Sequence, residues 1–135
     1  MATVYQAGSA QISSGTTLTV SNVSFNQDDA LIAFLASYTQ IDYYNVFASN
    51  GETLGYYQGY TVTETSPDLR VVMFVNIGMS GNQSAGTLSY YTVNSAPAAM
   101  IVYRIAPDAG KYLSFRASNL NVSNGTSASV TSSTY

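Results

Sequence analysis

The chain has 135 residues with no Cys and no His, and a formal net charge of −3. That length suits one domain with one hydrophobic core; the missing Cys excludes disulfides and thiolate metal sites, and the missing His removes the commonest general base and metal ligand. Charged residues make up 8% of the chain, against a usual share of about 25%, so its surface is built from Ser, Thr, Asn, Gln and Tyr, and little charge repulsion separates one copy from another.

The start of the chain, Met1 to Ser9, lacks the basic stretch and apolar run of a signal peptide. Thr16 to Phe25 then alternates as a strand, with Leu18 and Val20 in one phase and Val23 and Phe25 in the other. The slip at Ser21-Asn22 predicts a bulge. Ala30 to Tyr38 is apolar almost throughout, as a strand covered on both faces would be. Residues 26–38 admit a helix as the alternative, with Asp28 or Asp29 as its cap. The longest apolar run, Ala30 to Ala36, is far short of the roughly 20 residues that span a bilayer.

Tyr43 to Ala48 and Thr53 to Tyr57 flank Asn50-Gly51 and read as a hairpin with a type I′ turn. Tyr60 to Thr65 alternates as a further strand before Ser66-Pro67-Asp68 breaks it. Leu69 to Ile77 is the best central strand. Leu69, Val71, Met73, Val75 and Ile77 share one phase, which predicts that they join Ile101 and Tyr103 in the core. Gly78 to Gly86 reads as a loop, Leu88 to Val93 and Ala98 to Ala106 as strands, and Pro107 to Gly110 as a turn. Short strands at this spacing predict an all-β fold, a single antiparallel β-sandwich of jelly-roll type over 1–117. Ser118 to Tyr135 is rich in Ser, Thr and Asn and reads as edge strands, a docking tail or a frayed terminus.

No catalytic constellation emerges. A Ser–Lys pair would have to use Lys111, the only lysine. Most of the acids Asp28, Asp29, Asp42, Glu52, Glu64, Asp68 and Asp108 fall at turns, where Asp and Glu are expected for structural reasons, and no Asp-rich loop offers Ca²⁺ its six or more oxygens. The glycines form no phosphate loop. Asn-x-Ser/Thr sequons at Asn22, Asn82, Asn121 and Asn124 are expected by chance in a chain so rich in Ser and Thr. The expectation is a non-enzyme without cofactor or metal. Arg70, Arg104, Lys111 and Arg116 are too dispersed for nucleic acid or an anionic membrane.

Tyrosine is the unusual residue, at 12 copies with no Trp. Tyr43-Tyr44, Tyr56-Tyr57 and Tyr90-Tyr91 are adjacent, so one of each pair should face away from the core. Such rings serve a protein interface, a sugar platform, or simply two half-buried faces. Tyr43, Tyr56, Tyr90 and Tyr135 are the candidate interface residues. Self-association as a trimer, ring or lattice is expected through strand edges and Tyr-rich faces, because few charges guard them.

Leu18 to Ser21 forms a Thr/Ser strand leading into a corner; Asn26 to Phe34 carries an Asp into an apolar strand; Asn50-Gly51 follows, then Gly86 to Tyr90 and Met100 to Tyr103. In this order, over roughly 16–106, the chain resembles the small jelly-roll virion proteins of tailed phages. Tyr56 or Tyr57 takes the place of the Trp that follows the Asn-Gly turn there. The resemblance implies a decoration, cement, head-fibre or tail protein on the virion surface, with the major capsid or another virion protein as partner. Similar modules in bacterial surface proteins leave a cell-surface or extracellular role open.

Overall fold

The computed structural model describes residues 2–38, 45–62 (of residue 62, the backbone alone) and 67–114. The expectations for Tyr43, Tyr135 and 118–135 lie outside them. Among the described residues eight strands follow in order: β1 Thr3–Ile12, β2 Thr17–Phe25, β3 Ala30–Ser37, β4 Asn45–Ala48, β5 Thr53–Val62, β6 Leu69–Asn76, β7 Gln83–Tyr91 and β8 Ala98–Ala106. All strand pairings are antiparallel, in the order β1-β8-β3-β6-β5-β4-β7-β2.

That order is one long hairpin rolled up. The pairs β4–β5, β3–β6, β2–β7 and β1–β8 are the rungs of the hairpin, and rolling it sets β8 on β3, β7 on β4 and β5 on β6. This is the jelly roll, with β1-β8-β3-β6 as one layer and β2-β7-β4-β5 as the other. The terminal strands β1 and β2 lie against each other and nearly close the sheet. Gly8 permits that approach, since a Cβ there would stand 2.6 Å from Val20 Cγ1.

The interior takes Leu18, Val20, Val23 and Phe25 from β2, Leu31, Ala33 and Leu35 from β3, and Leu88 and Tyr90 from β7. Each large apolar side chain fully buried there stabilises the fold by about 1.5–3 kcal/mol. The 26–38 ambiguity resolves as strand, because Leu31, Ala33 and Leu35 alternate into the interior while Ile32, Phe34 and Ala36 are half-buried on the other side. The expected bulge is present: register shifts between Val20 and Val23, and Asn22 takes a φ of 59°.

Several expectations are corrected. On β6 Val72 and Phe74 enter the interior and Met73 is buried as expected, whereas Leu69, Val71 and Val75 are half-buried outward and Ile77 is exposed. On β8 Met100 and Val102 go in, and Ile101 and Tyr103 face out. Arg70 and Asn76 made the other phase look polar, but they sit at the two ends of β6, where Arg70 reaches Thr61 Oγ1 and Asn76 reaches the Thr53 carbonyl. Thr53–Tyr57 and Tyr60 onward are one strand, broken in register between Tyr56 and Gln58. The β4–β5 turn is not type I′, because only Gly51 of the Asn-Gly pair has a positive φ, at 94°. Gly51 N–H donates to the Ala48 carbonyl at 3.0 Å and Ala48 N–H to that of Glu52 at 2.8 Å, the pattern of a turn closed by a glycine bulge. β7 begins inside the expected Gly-rich loop, and β1 had no counterpart among the expected strands.

Candidate interaction surfaces

The registers place the outward residues of the β1-side layer in rows that run across β6, β3, β8 and β1 and continue onto β5 of the other layer. One row is Tyr60, Val71, Ala36, Ala99 and Gln11; the next is Gln58, Met73, Phe34, Ile101 and Ser9; a third is Gly55, Val75, Ile32, Tyr103 and Gln6. None of these positions carries a charge. The centre is apolar on β6, β3 and β8, with Phe34 edge-on to Tyr103 at 6.3 Å. Ala36 and Ala99 are short, so the surface dips beside them into a depression of about 510 Å³ that Phe34 and Val71 help to wall. An ordinary antiparallel sandwich alternates apolar-in with polar-out; β6, β3 and β8 are apolar on both sides.

The outward side of the other layer is different. Thr17 and Thr19 on β2 face Tyr91 and Ser89 on β7, with Thr19 Oγ1 and Ser89 Oγ 3.0 Å apart in a hydrogen bond. Two rings stand among these hydroxyls. Phe47 (39% exposed) and Tyr91 (42% exposed) tilt together at 5.9 Å, beside Thr16 and Thr92.

The tyrosines divide accordingly. Tyr90 is fully buried against Phe74 at 5.6 Å, so it is a core residue and Tyr91 is the outward member of the pair. Leu88 shares the phase of Tyr90 and was the signal for this. Tyr56 and Tyr57 are both exposed, at 44% and 45%, because the register breaks between Tyr56 and Gln58, with Tyr57 as the extra residue, which cancels the alternation. Tyr56 lies edge-on to Phe74 at 6.4 Å.

The charged groups serve the scaffold. Asp29 is buried and accepts from Arg104 Nε at 2.5 Å and from Asn26 N–H at 2.7 Å. The Arg104 guanidinium lies 5.4 Å from the Tyr5 ring centre, a cation–π arrangement. Asp28 takes a positive φ of 70° and donates its N–H to the Met79 carbonyl, which ties the start of β3 to the β6–β7 loop. Glu52 accepts from Ser80 Oγ at 2.6 Å and also from Ser80 N–H, Asn50 Nδ2 and Gly81 N–H. Burial pushes its carboxyl up, but these donors outweigh that and hold it below the usual carboxylate value. Among the described residues, no three acids cluster as a metal site, and no helix is long and apolar enough to cross a membrane.

No protein-family model, curated protein or solved structure matches the chain.

Proposed function

We propose that this chain is a non-catalytic structural protein of a virion surface, one that decorates or cements a capsid as a homo-oligomer packed on the major capsid protein. The observation that carries this reading is the contrast between the outward surfaces of the two layers. A jelly roll with a charge-free apolar surface on one layer and a hydroxyl surface on the other is suited to stand in an array, covered on one side and wetted on the other. Jelly rolls serve capsid and lectin domains alike, and fold alone does not assign a role. The test is purification of intact particles followed by mass spectrometry. The protein is expected in the particles; recovery from a cell-envelope fraction instead would favour the cell-surface reading and overturn this one.

A second reading, a carbohydrate-binding module, is favoured by Phe47 and Tyr91. Exposed rings flanked by hydroxyls suit the apolar face and the hydroxyl edge of a sugar. Saturable binding on a glycan array that is lost in Tyr91→Ala would support it.

A further inference from the structure

We propose that the outward surface of β5, β6, β3, β8 and β1 is a self-association face, on which a second copy of this chain seats its Tyr60 ring in the depression beside Ala36 and Ala99. The inference deepens the assembly reading above by naming its surface and its occupant. Three observations point to a second copy.

The first is charge. The chain carries −3 in total, yet none of the outward positions of these strands is ionised. Two such faces meet without stranding a charge, whereas a partner recognised through charge would find nothing to pair with.

The second is shape. The face supplies its own knob and its own hole. Tyr60 is 54% exposed and pairs with Val71, which pairs with Ala36, which pairs with Ala99. Tyr60 therefore stands two strands from Ala36, roughly 10 Å at the usual strand spacing. A two-fold axis near Val71 would place each Tyr60 over the other copy's depression, as a self-complementary interface requires.

The third is size. Five strands, at about 4.8 Å spacing and about 3.4 Å per residue over eight residues, make a face on the order of 600 Å². A standard interface buries about 800 Å² per partner, so this face supplies most of one.

The test uses the full chain, whose lack of Cys makes an introduced thiol unique. Val71→Cys is treated with a short bis-maleimide, since facing sheets stand roughly 10 Å apart, and Ser21→Cys on exposed β2 is the control. Covalent dimer from Val71→Cys alone is expected. Phe34→Lys, at the centre of the face, is expected to weaken association on the order of 100-fold in sedimentation equilibrium, through an unpaired buried charge, with an unchanged circular dichroism spectrum. Ser21→Lys should associate as the wild type does. A wild-type chain that stays monomeric at high concentration overturns the proposal, including the outcome in which its own 115–135 segment shields Phe34. Association undiminished in Phe34→Lys overturns it too. A monomer found in purified particles would refute this face and leave the virion role standing; an associating chain absent from particles would do the reverse.

Discussion

Phe34 on β3 and Ser89 on β7 both point away from the interior, yet one sits between Met73 and Ile101 and the other among Thr17, Thr19 and Phe47. Each layer has the same inward chemistry of Leu, Val, Phe and Ala. Only the outward chemistry differs: it is apolar on β6, β3 and β8 and rich in hydroxyls on β2 and β7. For the hydroxyl layer, water accounts for the Thr and Ser at outward positions, with Phe47 and Tyr91 the two rings among them. For the β1-side layer it does not, because Ile, Phe and Val recur at half-buried outward positions of three adjacent strands and gain by being covered further. The contrast separates what folds this chain from what its folded form meets.

The largest expected effect tests the inward side of that contrast. Phe74 is fully buried and touches both Tyr56 and Tyr90, so Phe74→Ala should cost about 3–5 kcal/mol in denaturant unfolding. Val75→Ala, one residue away, outward and half-buried, should cost less in a monomer and act mainly on association. Equal losses would erase the distinction between the two phases of β6.

The two phases explain how far the fold was legible in the residues. The positions of β2, β3, β6 and β8, the bulge at Ser21-Asn22 and the jelly-roll class follow from alternation and turn residues, whereas β1 and the start of β7 do not. The burial phase of β6 and β8 does not, because both phases are apolar, and alternation names the inside only when the outside is polar. Tyr90 was misplaced as an interface residue although Leu88, two residues earlier, marks its phase as inward. Tyr56 and Tyr57 escape the rule through a register break that only long-range pairing reveals. The outward apolar face was hidden by the same ambiguity that misplaced the core.

Next in size is the buried ion pair, the exception to the apolar interior. Arg104→Met leaves Asp29 buried with a single backbone donor, and should destabilise by about 3 kcal/mol in thermal or denaturant melts. A neutral effect would mean that Asp29 is solvated more freely than its burial indicates.

The Glu52 clasp between the β4–β5 turn and the β6–β7 loop should contribute less. Because the folded carboxyl is held below its ordinary value, its contribution is fully present above the unfolded value and is lost as pH falls through the lowered one. Glu52→Gln should cost about 1 kcal/mol near neutral pH, and the gap to wild type should close in acid. A gap that widens in acid would reverse the sign of the linkage. Smallest of all, Phe47→Ala and Tyr91→Ala on the hydroxyl layer should change stability by under about 1 kcal/mol, because both rings are already partly in water.

The central claim, that one outward surface is covered and the other is not, is tested most directly by hydroxyl-radical footprinting of the full chain across a concentration series. Phe34 and Tyr60 should label at low concentration and become protected as concentration rises, while Phe47 and Tyr91 label equally throughout. Protection of Phe47 and Tyr91 instead, or no concentration dependence on either surface, would contradict it.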